Sequence, residues 1–339
     1  MKKLIWCLLM APFFCTAQSF SLKPLNENTN TSLRGLSVVS DQVIWASGSN
    51  GAVGKTEDGG LTWQWVKPKG YEKLDFRDIE AFDRQHAILV NAGSPAYVLK
   101  TDDGGATWSV HYKNIDSAIF LDGLGFWNRN SGMIFGDPIH GKMPLLKTTD
   151  AGKTWKDVSS SMKQHLAEGE AGFAASGTTI KTLAGGKVWI ATGGSVSHIY
   201  YSADYGKNWN IYQCPIWQGE NTTGPFSIDF FDAQNGVVVG GNYVKDKAND
   251  NNVLITADGG KTWNKPITPV SGFRSGVTYL NKQVLVATGT SGTDISTDSG
   301  QNWKHLSDHS FNAVQKSAKG NRIILAGEKG NIYELILSR

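Results

Sequence analysis

An eight-residue pattern, Ser/Thr-x-Asp-x-Gly-x-Thr/Asn-Trp, recurs six times along the chain, at residues 56–63, 101–108, 148–155, 202–209, 256–263 and 296–303. Its tryptophans, Trp63, Trp108, Trp155, Trp209, Trp263 and Trp303, lie 40 to 54 residues apart. Self-similarity at such a period limits the chain to folds that stack or ring one small unit. Each part of the pattern has a local reason. The aspartate can accept backbone N–H groups in a tight turn, and the glycine takes a conformation that other residues resist. The tryptophan then opens a strand and buries a large ring. Asp58, Asp103, Asp150, Asp204, Asp258 and Asp298 are therefore read as structural.

A strand-like stretch precedes each box, such as 96–100 or 252–255, and another follows it, such as 108–112. Two more lie upstream in each unit, for instance 78–82 and 87–91. Four short strands in about 45 residues make one blade of a β-propeller. Composition agrees, because 39 glycines and 12 tryptophans against 10 prolines suit many tight turns with aromatics between them. Beyond the last box, 311–317, 322–326 and 332–337 read as three strands without a box, and 19–25 offers the missing outer one. Pairing them closes a ring and hides a strand edge. The expected fold is all-β: a seven-bladed β-propeller with four antiparallel strands per blade, closed by the N-terminal strand. Six blades is the alternative. The propeller would fill residues 18–339 as a single domain.

Lys2 and Lys3 precede an apolar stretch over 4–14 and then Cys15-Thr16-Ala17, the layout of a signal peptide covering 1–17. Phe13 and Phe14 are bulky where lipid attachment at Cys15 wants small residues, so a soluble periplasmic or secreted chain is expected. Cys214 would then be the one remaining thiol, with no CxxC partner and no disulfide. No later apolar run approaches the ~18 residues of a membrane span. A formal charge of +3 without a basic run argues against nucleic acid. Scattered histidines and the lack of a dinucleotide fingerprint argue against a metal, a cofactor and oxidoreductase chemistry. A monomer is expected.

The box is the Asp-box, or BNR repeat, of sialidase-like β-propellers. More closely, the chain resembles the exported relatives of the photosystem II assembly and stability factor family. Residues 125–138 (GFWNRNSGMIFGDP), 168–178 and 271–276 (SGFRSG) share that family's look. The resemblance implies a propeller acting in the assembly or stability of other proteins. The box itself is nearly silent on function, which lives in sites and not in scaffolds.

In such a blade the box joins strands three and four on one face of the disc. The starts of the innermost strands and the loops between strands two and three then surround the channel mouth on the opposite face. Aligned blades put Arg34, Arg77, Asp122, Phe226, Arg274 and Asn312 at comparable strand starts, with blade four uncertain near Ser176. Arg34, Arg77 and Arg274 facing one mouth would make an anion-binding patch, with Glu170 close enough to frame it. The rival reading pairs each arginine within its own blade, Arg77 with Asp78 or Glu80 for example. Loops between strands two and three add His140 and Ser291 as ligand-binding candidates, and two long connections, 159–172 and 214–225, are expected to fold over this face. The second carries Trp217, a stacking platform if the ligand is a sugar.

Two functions remain. The first is a non-catalytic propeller that binds a protein partner or an anionic, carboxylate-bearing ligand at the channel mouth. The second is a carbohydrate-active enzyme, a sialidase-like hydrolase or a lyase on acidic sugars. Catalytic candidates for it are Asp122, Asp137, Glu170, Tyr243 and Glu328. The motif around Arg34 lacks the proline of the sialidase opening, and Tyr243 has no evident paired glutamate, which favours the first.

Overall fold

The computed structural model describes residues 19–27 and 29–338; the expected signal peptide, with Cys15, lies outside them. The described residues form seven antiparallel sheets and almost no helix beyond the short turns Ser159–Ser161 and Glu328–Gly330. Innermost strands are Leu33–Val38, Asp75–Ala81, Leu121–Asn128, Ile180–Leu183, Thr223–Phe230, Gly276–Tyr279 and Ala313–Lys316. Each packs on the next, and the seventh returns to the first, so the sheets are blades of a closed seven-bladed propeller.

Ser19–Asn26 closes the ring. It pairs antiparallel with Ile332–Ser338, in register from Ser19 opposite Ser338 to Pro24 opposite Tyr333. Phe20 and Leu22 lean on the blade-seven core around Phe311 and Leu325, while Pro24 is tolerated because this is an outermost strand. Two blades depart from four strands. Blade four gains the short strand Glu170–Ala171, which pairs with the end of Lys187–Gly194. Blade five keeps three strands, and a single bridge between Ile255 and Asn264 stands where the fourth would run. Pro266 and Pro269 follow directly, and proline has no N–H to extend a ladder.

Blades adhere through apolar layers and through side chains that cap the next blade's backbone. Trp189 of blade four stacks on Phe230 of blade five at 4.0 Å, and Trp155 joins the layer between blades two and three. On the axis, Ser37 accepts the Ala81 N–H, Asp78 the Leu124 N–H, Ser227 the Val277 N–H and Asp229 the Tyr279 N–H. Gln315 accepts the Val38 N–H across the closure between blades seven and one.

Candidate functional site

Each box is one hydrogen-bonded unit. In the first, Asp58 accepts the Thr62 N–H at 2.9 Å and the Thr62 hydroxyl at 2.6 Å, and Thr56 Oγ1 accepts the Gly60 N–H at 2.9 Å. The Thr62 hydroxyl and N–H hold the Asp58 pKa at about 2, and Thr107 does the same for Asp103. The box then ties to its own blade's first turn, because Gly59 N–H donates to Gln42 O and Gly104 N–H to Gln85 O, both at 2.9 Å. Boxes and first turns therefore share one face. The opposite, upper face carries the strand starts.

On that upper face, the ladder between the first two strands slips at one residue in several blades. Register shifts fall between Leu33 and Gly35, Phe76 and Asp78, Leu121 and Gly123, and Pro225 and Ser227. The extra residues are Arg34, Arg77, Asp122 and Phe226, and a bulge re-aims the side chain it carries. Arg34 and Arg77 are both half-buried and reach the same short segment: Arg34 Nη1 donates to Ala175 O at 3.3 Å and Arg77 Nη1 to Ala174 O at 3.5 Å. Arg77 also pairs with Asp75 at 2.8 Å. Burial, and then the neighbouring Arg77 guanidinium, press the Arg34 pKa below the usual arginine value, with Asp75 and Glu328 opposing.

Arg274 does not join them. Its side chain is wholly buried within blade six, where Nε donates to Asp294 Oδ2 at 2.7 Å and Nη1 to Ser291 Oγ at 2.6 Å. Asp294 further accepts the Ser271 N–H and hydroxyl, so the SGFRSG motif and Ser291 serve an internal ion pair. A buried guanidinium needs such a counter-charge, and that need overrides the mouth. The expected three-arginine patch is a pair. Glu170 is likewise turned inward and meets no arginine: Tyr200 Oη, His198 Nδ1 and the Ala167 N–H surround its carboxylate at 2.9, 3.0 and 3.0 Å.

What fills the axis under the two arginines is residues 173–178, the stretch of blade four whose place was uncertain. Ser176 Oγ donates to Ser275 O of blade six, Thr178 Oγ1 meets Ser227 Oγ of blade five, and Phe173 stacks on Phe226 at 3.9 Å. Gly177, at φ +70°, lies so close to Asp78 of blade two that a Cβ there would stand 2.4 Å from its carboxyl. A segment touching the inner strands of these blades can only be axial, so it plugs the channel from above. The open volume lies below it, a cavity of about 810 Å³ lined from Leu36 to Lys319 that opens on the box face.

The remaining candidates scatter. Asp122 and Asp137 meet beneath Gly172, whose N–H donates to Asp137 Oδ1 at 2.8 Å. Burial first, and then the neighbouring Asp137 carboxyl, push Asp122 well above the usual carboxylate range. Glu328 accepts the Ser32 hydroxyl at 2.6 Å, and exposed Tyr243 sits edge-on to Phe226 and Phe273. Lys245 covers the Trp217 ring at 5.8 Å, while His140 is exposed at the turn before Gly141. No group of three or more His, Cys, Asp or Glu side chains able to hold a metal occurs among the described residues.

Asp294 and Tyr200, which organise the buried ion pair and the Glu170 cluster, are not among the residues that strand alignment picks out. A signal existed. Two residues before the box Thr or Ser stand Gly54, Leu99, Leu146, Tyr200, Leu254 and Asp294, and the two polar ones each have a buried charged partner.

Comparison with known proteins agrees with this architecture. Residues 70–214 match the family model of the Photosynthesis system II assembly factor YCF48. No curated protein matches in sequence. Among solved structures, YCF48 bound to D1 peptide superposes with a TM-score of 0.67 at 16% identity, over 97% of this chain and 99% of that one. YCF48 from Cyanidioschyzon merolae gives 0.64 at 16% identity, over 92% and 98%. The WD40 propeller domain of Doa1 gives 0.61 at 9% identity, over 95% and 98%. At such identities the superpositions speak for the fold. The chain is a seven-bladed BNR-like propeller that resembles the photosystem II assembly factor YCF48.

Proposed function

We propose that this chain is an exported, non-catalytic propeller that holds a carboxylate-bearing segment of a partner protein at its upper mouth, in the assembly or stabilisation of that partner. The observation that carries the reading is the juxtaposition of Arg34 and Arg77 on bulges of adjacent blades, reaching adjacent carbonyls of the axial plug. Like charges side by side repel, and an anion bridging both relieves that cost. Guanidiniums suit a carboxylate because they can bind it through two parallel bonds. The family match over residues 70–214 and the peptide in the YCF48 complex support a protein partner. Exposed Tyr243, packed edge-on against buried Phe226 and Phe273, offers an aromatic contact to such a segment.

The test uses a fluorescent acidic peptide with a free C-terminal carboxylate, alongside its amidated glutamine counterpart. The wild-type chain should prefer the acidic peptide and lose it as salt is raised. Arg34→Gln with Arg77→Gln should weaken binding at least about tenfold, as loss of charge-assisted bonds implies, with melting unchanged. Equal binding by the double variant, or equal binding of both peptides, would refute the reading.

A further inference from the structure

The axial cavity on the box face carries an inference independent of the upper mouth. Its volume of about 810 Å³ falls in the range of small-molecule sites. Its walls are the lower halves of the inner strands, and its ceiling is the plug around Gly177. Most of the charges that face it are already committed. Asp78 accepts the Ile79 and Leu124 N–H groups at 2.8 and 2.7 Å. Asp229 accepts the Phe230 and Tyr279 N–H groups, and the Lys181 ammonium lies 2.6 Å from it. At the rim, Arg129 pairs with Asp83 at 2.8 Å, and Lys316 donates to Gly320 O at 2.9 Å. Blade one contributes Leu36 to Val39 and blade six Val277 to Leu280, with Tyr279 the one titratable group between them.

Two charged groups stay uncommitted among the described residues: Lys319, exposed at the rim, and Glu80 inside. Glu80 lines the cavity and has no hydrogen-bond partner among the described residues, although Asp78, two positions earlier on the same strand, is fully engaged. Glu80 stands two residues in from Phe82 at the rim, roughly 7 Å of depth at the usual rise of a strand. Burial raises its pKa to about 7, with Lys181 acting in the opposite direction. Glu80 is therefore a carboxyl without a bonded counter-ion, and the Lys181 ammonium that acts on it is held by Asp229.

We propose that this cavity binds a small primary ammonium compound from the box face, with the amine taking Glu80 as its counter-ion. A slender aliphatic amine can reach that depth between Phe82 and Phe231, whose rings line the passage. Because the ligand requires the carboxylate form, binding releases a proton below neutrality and tightens as pH rises from 6 to 8.

The experiment is calorimetry on the full propeller with 1,5-diaminopentane, set against 1,5-pentanediol and glutarate as uncharged and anionic probes of the same length. The diamine should bind saturably at one site, and the other two should not. Below pH 7 its heat should vary with the ionisation enthalpy of the buffer. Glu80→Gln should weaken the diamine about tenfold or more, the usual scale of a lost charge-assisted contact, and abolish the proton release. Should that variant fold poorly, the carboxyl carbon-13 shift of Glu80 in the wild type must titrate at lower pH when the diamine is present. No binding of the diamine, equal binding of glutarate or the diol, an unaffected folded Glu80→Gln variant, or an unmoved titration would each overturn the proposal.

Discussion

The two faces of the disc are built on opposite plans. The box face is made by repetition: six turns use the same aspartate, glycine and hydroxyl contacts, each anchored to its own blade. The upper face is made by exceptions. Bulges carry different residues in different blades, Arg34, Arg77, Asp122 and Phe226, and one blade donates a plug that no other blade has. Repetition solves stability, because a unit that folds once folds again. Exceptions are where one chain can differ from another on the same scaffold, so the partner site is sought there.

Both plans presuppose a closed ring, and opening it gives the largest expected effect. Deleting Ser19–Asn26 removes the outer ladder of blade seven and the cover that Phe20 and Leu22 give its core. Lost apolar burial and ladder bonds amount to something on the order of 5 kcal/mol, a large share of the stability of a typical domain. The exposed edge of Ile332–Ser338 should also promote association. Thermal melting and size-exclusion chromatography check both, and a deletion variant that melts and elutes like the full propeller would break the closure account.

Next in size is the ion pair that took Arg274 out of the mouth. Asp294→Asn leaves a buried guanidinium without its counter-charge and should cost about 3–5 kcal/mol. Replacing both partners, Arg274→Met with Asp294→Leu, should cost far less than that single change, because no charge is stranded. Denaturant melts of the three chains decide it. A double variant as unstable as the single one would mean that the pair shapes the blade for reasons beyond charge.

These two cases mark how far the sequence could be read. The ring, its blade count and its N-terminal closure were legible because each rests on a repeated local pattern: box, strand period and one missing strand. Arg34 and Arg77 were legible as residues at comparable strand starts because those starts align from blade to blade. Arg274 aligned equally well and still turned inward, since alignment gives a position along a strand and not the partner that a side chain meets. The plug at 173–178 was illegible for a related reason. Its contacts run to blades two, five and six, and the signals that place it, Gly177 against Asp78 and Ser176 on Ser275 O, have meaning only once those blades are assembled.

The upper face should also respond to pH in the sense opposite to the boxes. Asp122 is raised by burial and then by Asp137, and Asp78, facing the lower cavity, is raised chiefly by burial. A carboxyl whose folded pKa exceeds the unfolded value near 3.8 contributes stability that is complete below that value. That contribution is lost as pH rises through the folded value. Box aspartates run the other way: held near 2, Asp58 and Asp103 contribute above pH 3.8 and lose the contribution as pH falls. Stability should therefore decline as pH rises above the usual carboxylate range, and Asp122→Asn, which mimics the protonated acid, should flatten the decline by up to about 1.4 kcal/mol per pH unit. Melts from that range upward check it, and an unchanged slope would mean that Asp122 is ionised beside Asp137.

The smallest expected effect tests how uniform the boxes are. The fourth box residue is left-handed in all six copies, with glycine at 59, 104 and 259 but Ala151, Tyr205 and Ser299 elsewhere, at φ +61°, +63° and +64°. A residue with a Cβ is penalised there by roughly 1–2 kcal/mol. Glycine removes that penalty but gives back about 0.4–1 kcal/mol through the freedom of the unfolded chain. Ala151→Gly should therefore stabilise the propeller slightly, by at most about 1.6 kcal/mol on balance, and leave the upper mouth untouched. Tyr205→Gly should go the other way, although its backbone gains as much. The Tyr205 ring packs edge-on against Trp127 at 5.2 Å and lies under the Lys147 ammonium at 5.6 Å, contacts that glycine forfeits. Opposite signs for the two substitutions in paired denaturant melts would show that the boxes share a backbone while their fourth side chains are put to separate uses. Equal signs would mean that backbone strain alone governs the position.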